Sequence, residues 1–240
     1  MKKISFILLL LTSHFFSGAQ ITLPSLQPLQ YVESNFGNAL NFDGESTYGL
    51  GKVYVKDSIT DFTIEFWIKN TGSDDDNDRI YSSYYNNALH IGKNNNQLKL
   101  LATDLGGAAT WQTACTLELN KWVHIAIVRN GNSLKVYKND VVVQNYPVDA
   151  VSTLPNLFRL GSNINGMGEN GNFSIDELRV WKIALSSTYL NKYMYTTINP
   201  NSTADQNPST KLVLYYRFDQ GESGANNQFE IGLYNSAITN

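Results

Sequence analysis

The feature that most constrains the fold of this chain is a series of short apolar segments separated by turn residues. Between residues 38 and 182, segments rich in β-branched and aromatic residues alternate with Gly, Asn and Asp. Many short strands at regular spacing are typical of antiparallel sandwiches and jelly rolls. The pattern predicts strands over 39–43, 62–69, 79–85, 88–91, 97–102, 122–129, 133–138, 141–146, 157–161 and 173–182, with a last one over 211–219.

Two of these segments indicate how the strands are buried. In 62–69 the even positions are large and apolar, which predicts one buried face. The segment 122–129 shows little alternation, so we expect a central strand that is covered on both faces. An Asn-Gly pair at 130–131 and an Asn-Asp pair at 139–140 tolerate positive φ and predict tight hairpin turns.

One helix is predicted, over residues 186–195. It opens on a serine that can cap it, and Tyr189, Leu190, Tyr193 and Met194 follow at helical spacing. The predicted fold class is therefore all-β, a two-sheet antiparallel β-sandwich with one short helix near the C-terminus.

The N-terminus has the pattern of a signal peptide. Lys2 and Lys3 precede an apolar run over 4–11, and small residues lead to a predicted cut after Ala19. The alternative is a membrane anchor, but the run is short and no later segment approaches about 20 consecutive apolar residues. We therefore expect a secreted, extracellular or cell-surface protein without a membrane span. The predicted divisions are a signal peptide over 1–19, a lead-in over 20–36, the sandwich domain over 37–219 and a linker or tail over 220–240.

Charge and cysteine content exclude some classes of function. The net charge is −3, 16% of residues are charged, and no basic stripe is present, so nucleic-acid binding is not expected. Cys115 is the only cysteine, so the domain is held together by its core rather than by an internal disulfide.

Four segments carry a resemblance to a known family. They are Gly-Asn-Ala-Leu-Asn-Phe-Asp-Gly at 37–44, Phe-Thr-Ile-Glu-Phe-Trp-Ile at 62–68, Asn-Lys-Trp-Val-His-Ile-Ala at 120–126 and Phe-Ser-Ile-Asp-Glu-Leu-Arg-Val-Trp at 173–181. In this order they resemble the laminin-G-like modules of the concanavalin A-like lectin/glucanase superfamily. The resemblance implies a jelly roll that binds or adheres. Residues 214–227 resemble the segment that follows such modules in multidomain surface proteins of Gram-negative bacteria.

The resemblance also implies one structural Ca²⁺ site. Its ligands would be Asp43, the carbonyl of Gly44 and Asp176, hard oxygens that suit calcium. The alternative is that Asp43 caps a turn and Asp176 accepts backbone hydrogen bonds. An acidic run over 74–78 lacks the spacing of a calcium loop and is expected to be a solvated loop.

Carbohydrate recognition needs an aromatic platform with polar groups beside it. Trp111 is the best candidate, because it follows a loop of small residues and precedes Gln112. A strand that could face a groove supplies further candidates, and ordinary packing is the alternative for each of them. These candidates are Tyr81, Tyr84, Tyr85, Asn86 and Asn87.

Catalysis is not expected. The β-glucanases of the superfamily use a Glu-x-Asp-x-x-Glu pattern on one strand, and the sequence does not contain it. We therefore predict a non-catalytic binding or adhesion module whose partners are glycans or a cell-surface or extracellular protein. Two alternatives stay open, namely a structural spacer of a larger surface protein and a divergent glycoside hydrolase or lyase.

Overall fold

The strand pattern of the sequence is present as two antiparallel sheets in the computed structural model of the chain. Adjacent strands pair antiparallel throughout both sheets, which confirms the predicted all-β sandwich. The structure describes residues 21–22, 30–34, 37–44, 49–52, 60–72, 78–83, 89–101, 110–148, 157–163, 168–198, 211–219 and 232–233.

The strands in chain order are β1 (Ile21–Thr22), β2 (Gln30–Ser34), β3 (Gly37–Asp43), β4 (Gly49–Lys52), β5 (Phe62–Asn70), β6 (Asp78–Ser83), β7 (His90–Asn94), β8 (Gln97–Leu101), β9 (Gln112–Thr116), β10 (Trp122–Asn130), β11 (Ser133–Lys138), β12 (Val141–Pro147), β13 (Leu157–Leu160), β14 (Asn172–Trp181), β15 (Leu212–Tyr216) and β16 (Gly232–Leu233). A single helix in the described residues, α1 (Ser187–Met194), follows β14. It is too short to span a bilayer, and the described part of the chain contains no other helix that could.

The two sheets have different strand orders. Sheet A runs β16-β1-β4-β13-β6-β7-β8-β9, and sheet B runs β12-β11-β10-β5-β14-β3-β2, with β15 paired to β14. The first and last family-like segments lie side by side in sheet B, where Phe173 pairs with Phe42 and Ile175 with Leu40. Strands that are distant in sequence therefore lie side by side in the sandwich.

Short strands outside the predicted sandwich domain also pair with the sheets. Strand β2, within the predicted lead-in, pairs with β3, and β16, within the predicted tail, pairs with β1. Strand pairing therefore reaches into the predicted lead-in and the predicted tail, and the division at residues 37 and 219 stays a prediction. Strands as short as β1 and β16 have no readable alternation, so the sequence pattern could not identify them.

The main core lies between the sheets. Strand β5 contributes Phe62, Ile64, Phe66 and Ile68, the even positions of the predicted alternation. Strand β10 faces them with Val123, Ile125 and Ile127, and sheet A closes the other side with residues such as Ile91, Leu98 and Leu100. Burial of these apolar side chains provides the main driving force for the fold.

The outer face of sheet B carries a second apolar cluster, because α1 and the segment before it pack there. Ala126 and Val128 of β10 point outward into this cluster, where they join Leu190 and Tyr193 of α1. Strand β10 is thus covered on both faces, as its sequence indicated. The hairpin turn at 139–140 is also confirmed, since both residues have positive φ.

A buried polar network lies under α1, and the family-like segments meet in it. Glu65 accepts a hydrogen bond from Trp181 Nε1 at 3.0 Å, and its other oxygen lies 3.4 Å from His124 Nε2. Arg179 Nη1 lies 3.5 Å from Glu65 and donates to the Tyr193 carbonyl at 2.7 Å. These residues therefore hold the helix against sheet B. This structural role explains why the family-like segments contain them. Arg179 Nη2 also pairs with Glu177 and donates to the Thr196 carbonyl.

Candidate functional site

The outer face of sheet A carries polar side chains across several strands. On β7 the core residue Ile91 alternates with His90, and on β8 Lys99 lies between the core residues Leu98 and Leu100. Successive side chains of a strand point to opposite faces, so the residues that alternate with the core point outward. This outward set contains Arg79, Ser82, His90, Lys99 and Arg159.

A gap in this face allows Arg79 to reach across the sheet. Arg79 lies opposite Gly92 of β7, which has no side chain to fill the position. The Arg79 guanidinium carbon lies 4.4 Å from the centre of the Trp111 ring, which directly precedes β9. This distance is within the range of a cation–π contact. The half-buried Trp111 ring is therefore held in place by an arginine of β6, which is separated from β9 by the two strands β7 and β8.

A carboxylate fixes the other side of Arg79. Glu169 Oε2 accepts from Arg79 Nε at 2.9 Å and lies 2.8 Å from Nη2, and it also accepts from the side-chain amide of Asn163. Arg159 Nη1 donates to the Asn163 carbonyl at 2.8 Å. We call Arg79, Trp111, Arg159, Asn163 and Glu169 the Trp111 cluster.

The loop between β13 and β14 positions two members of this cluster. It leaves β13 at Gly161, whose φ is +77°, and a Cβ there would lie 2.2 Å from Cδ1 of Phe42. The loop returns beside β6, where Arg79 N donates to the Glu169 carbonyl at 2.8 Å. Glu169 itself has a φ of +51°, an uncommon conformation for a residue with a side chain. This conformation holds the Glu169 side chain toward Arg79.

His90 lies beside the Trp111 cluster, and its imidazole is uncharged at neutral pH. Burial lowers the pKa of His90 to about 4, and the nearby positive charge of Arg79 adds to this effect. Its Nδ1 lies 3.1 Å from the Ser82 hydroxyl. At neutral pH this pair therefore presents uncharged hydrogen-bonding groups next to two guanidinium groups.

The structure corrects one of the predicted ligand residues, Tyr81. Its side chain is only 1% exposed and stacks on Phe158 in the core, with ring centres 4.7 Å apart. A bulge between Arg79 and Tyr81 is the physical reason. An extra residue in a strand reverses the alternation beyond it, so Arg79 points outward and Tyr81 inward.

Gln112 also lies on a different face from Trp111. It lies on β9, a strand that the sequence did not predict, and pairs with the core residue Leu100 of β8. Its amide donates to the Thr110 hydroxyl at 3.0 Å. Adjacent residues of a strand point to opposite faces, so Gln112 does not extend the Trp111 cluster. The other predicted ligand residues, Tyr84, Tyr85, Asn86 and Asn87, lie outside the described residues.

The residues predicted to bind calcium do not fit a single ion. Asp43 pairs with Asn172 on β14, whereas Asp176 pairs with Trp67 four residues further along the same strand. Four strand residues span about 13 Å, too far for one ion to bind both carboxylates. Asp176 is fully buried and its Oδ1 accepts from the Glu177 backbone N–H at 2.8 Å, which is the alternative role considered for it. Calcium binding by the chain stays a prediction.

The sequence reasoning missed Arg79, Arg159, Asn163 and Glu169. One signal was available, because Arg79 and Arg159 each lie in a segment that is otherwise read as a strand next to the core. A charged residue within a strand that borders the core requires a partner. The partner was not visible, since Asn163 and Glu169 lie in a loop whose path the sequence does not fix.

The sequence matches the family model of the concanavalin A-like lectin/glucanases superfamily over residues 43–190, more than half of its 240 residues. The chain belongs to this superfamily. No curated protein matches the sequence.

Solved structures show the same fold at low sequence identity. The binding domain of Paraclostridial Mosquitocidal Protein 1 is 15% identical with a TM-score of 0.58, covering 71% of this chain and 46% of its own. A Bacteroides ovatus protein, provisionally described as carbohydrate binding, is 15% identical with a TM-score of 0.56, covering 90% and 57%. The binding domain of botulinum neurotoxin DC in complex with SialylT is 15% identical with a TM-score of 0.57, covering 72% and 45%. This chain therefore spans about half the length of these solved chains.

Proposed function

We propose that the mature chain is a secreted, non-catalytic module that binds glycans on the outer face of sheet A, with Trp111 as the stacking platform. The observation that carries the proposal is the Trp111 ring, half-buried and fixed by Arg79, whose guanidinium is held in turn by Glu169 and, through it, by Asn163. A sugar presents apolar C–H groups on one face and hydroxyls at its edge. An immobilised aromatic ring with amide and carboxylate neighbours suits both.

Preorganisation supports this proposal. The Arg79–Glu169 ion pair and the Asn163 amide already hold the polar groups in position, so little conformational entropy is lost when a ligand binds. Two solved structures of this fold point the same way, since one is described provisionally as carbohydrate binding and the other was solved in complex with SialylT.

A binding role suits this face better than glycoside hydrolysis. Retaining hydrolysis requires two carboxyl groups about 5–5.5 Å apart, one acting as acid and one as nucleophile. Glu169 is already engaged by Arg79 and Asn163, and three donors to one oxygen oppose both of those roles. The more deeply buried Glu65 and Glu177 belong to the network under α1 on the other sheet.

Secretion and calcium binding are parts of the proposal that rest on the sequence alone. The residues that carry them are the apolar run before Ala19 and the Asp43–Gly44 pair. Sequencing the N-terminus of the exported protein tests the first, with Gln20 as the expected first residue. Calorimetric titration with CaCl₂ tests the second.

A glycan-array screen with matched tryptophan variants tests the function. Trp111→Ala is compared with Trp122→Ala, because Trp122 is also half-buried and also carries a cation, Lys69 Nζ, at 5.3 Å from its ring centre, but lies on sheet B. We expect wild type and Trp122→Ala to bind the same glycans. Trp111→Ala should lose at least about tenfold in affinity, since 1.4 kcal/mol corresponds to a factor of ten.

Each outcome of this screen decides something. Retention of full affinity by Trp111→Ala would place the glycan site elsewhere, and silence of the wild type on every glycan would favour the spacer. Repeating the array with EDTA separates a calcium-dependent lectin from the calcium-independent binding that the Trp111 cluster predicts.

A further inference from the structure

We propose that a cleft on the outer face of sheet B binds a small organic monocarboxylate. The cleft lies between the outward side chains of β10 and β11 and residues 184–186, which lead from β14 into α1. We call it the Lys135 cleft, after the one charged side chain among the described residues that line it. Because Trp111 borders sheet A and this cleft is on sheet B, the proposal goes beyond the glycan site and does not depend on it.

The floor of the Lys135 cleft is apolar. Val128 of β10 and Leu185 are 4% and 3% exposed and belong to the cluster that packs α1 on sheet B, and Ala184 extends this surface. The cleft volume of about 290 Å³ holds roughly ten non-hydrogen atoms, at about 30 Å³ for each water-sized group. A ligand must therefore be small, with an apolar body that covers the floor.

The rim of the Lys135 cleft offers hydrogen-bond donors that the fold does not use. Lys135 and Asn130 are exposed, and neither side chain makes a hydrogen bond or an ion pair to a described residue. The Ser186 hydroxyl is also exposed, and it does not cap α1. Lys135 pairs in register with Val128, and Asn130 lies two residues along β10 from Val128, so both point to the same face as the floor. These donors match the two acceptor oxygens of a carboxylate.

The charge of the Lys135 cleft favours a single negative charge on the ligand. No acidic side chain is among the described residues that line it. Asp61 Oδ1 accepts from the N–H of Gly131, next to Asn130, at 2.8 Å. Asp140, in the turn after β11, accepts from the Asn191 side chain at 3.0 Å. One ammonium in the lining balances one carboxylate, whereas a phosphate monoester carries a charge of about −1.5 to −2 at pH 7.

Titration of ¹⁵N-labelled protein, followed by NMR, tests the proposal. Phenylacetate has about the size that the cleft holds, and phenylacetamide has the same shape without the charge. The aliphatic pair of 4-methylpentanoate and its amide repeats the comparison with a different apolar body. We expect at least one acid to bind with a Kd on the order of 1 mM and about fivefold more tightly than its amide. The backbone resonances that shift should be those of residues 128–137 and 184–188.

Variants assign the binding to residues of the Lys135 cleft. Lys135→Gln should abolish the preference for the acid over its amide, because it removes the only charge of the lining. Ala184→Leu fills the floor and should weaken the acid and the amide alike. Lys121→Gln removes an exposed lysine just before β10, at the end of that strand far from Asn130, and should bind as wild type does. The substituted positions are exposed or half-buried, and the NMR spectra of the variants report whether they fold.

The remaining outcomes overturn the proposal. Equal affinity of the wild type for each acid and its amide would show that the cleft does not select a carboxylate. The same conclusion would follow if Lys135→Gln kept the preference, or if Lys121→Gln lost it. Shifts that map outside the cleft, or no shifts at about ten times the expected Kd, would show that it is not a binding site. Glycan binding at Trp111 is unaffected by any of these results, since every variant lies on or beside sheet B.

Discussion

The outer faces of the two sheets are built from similar residues and are completed in opposite ways. On sheet B, Trp181, Arg179 and Glu65 are at most 1% exposed. They lie beneath α1, and their hydrogen bonds join β5, β14 and the helix to one another. On sheet A, the equivalent aromatic–arginine–carboxylate set leaves Trp111 half-buried and the Glu169 side chain 36% exposed. The same chemistry therefore holds the fold together on one face and is accessible to a ligand on the other.

The difference shows why motifs that identify a family need not identify its site. The segments that resemble the superfamily place Glu65, His124 and Arg179 in the network that anchors α1. Burial of that network makes the residues hard to replace, since a buried charge left without its partner is costly. The Trp111 cluster draws on strands β6 and β13, on the residue before β9 and on the loop after β13, all outside those segments, and we expect substitution there to cost less stability.

The largest expected effect is the loss of Arg179. Arg179→Ala leaves Glu65 as a buried carboxylate without its arginine and Glu177 with only Arg217 at 3.9 Å, and it frees the C-terminal end of α1. We expect the free energy of unfolding in urea to fall by about 3–5 kcal/mol. The matched change on the other face, Arg159→Ala, should lower the free energy of unfolding by clearly less. Equal losses of stability for the two variants would contradict the comparison between the two faces.

A smaller effect is expected from one substitution made on both faces. Trp181→Phe removes the 3.0 Å hydrogen bond to Glu65 and part of the stack on Tyr193, and should destabilise by about 1–3 kcal/mol. Trp111→Phe keeps a ring on the surface and should change stability by at most about 1 kcal/mol, the size of an exposed cation–π contact. Thermal denaturation of both variants measures the difference, and a larger loss for Trp111→Phe would reverse the assigned roles.

Acid should weaken the network under α1 through Glu65. Burial alone would raise the pKa of Glu65, but the hydrogen bond with His124 and the charge of Arg179 hold that pKa below its usual value. Because the folded pKa is the lower one, this stabilisation is complete above the unfolded pKa of about 4.3 and is lost as pH falls through the folded pKa.

Urea denaturation between pH 7 and pH 2.5 measures this loss. The gap in stability between wild type and Glu65→Gln should narrow on acidification, whereas the exposed Glu118→Gln should follow the wild type closely. A gap that stays constant down to the lowest pH would show that Glu65 is not ionised in the folded protein.

The smallest effect is expected at the surface of sheet B. Lys138 Nζ donates to Glu118 at 2.8 Å, but Glu118 is exposed to solvent. Exposed ion pairs contribute about 0–1 kcal/mol, so Lys138→Ala should leave both stability and glycan binding nearly unchanged. A loss above this range would mean that strand β11 depends on the pair.

Much of the sandwich could be predicted from the sequence because local patterns determine it. The alternation in β5, the continuous burial of β10 and the turn at 139–140 each follow from neighbouring residues. The candidate site was harder to predict from the sequence. A one-residue bulge after Arg79 reversed the face of Tyr81, and the path of the loop that holds Glu169 depends on the close approach of Gly161 to Phe42. Trp111 was predicted as a ligand residue from its sequence setting, and this stays a prediction, whereas the residues around Arg79 are brought together by tertiary structure.

Fluorine NMR of protein labelled with 5-fluorotryptophan tests the central claim most directly. The chain has four tryptophans, and Trp111→Phe, Trp122→Phe and Trp181→Phe assign their resonances. On addition of a glycan from the array, we predict that the Trp111 resonance shifts and that the buried Trp67 and Trp181 resonances do not. A bound glycan that shifts the Trp122 resonance and leaves Trp111 unchanged would place the site on sheet B and contradict the account.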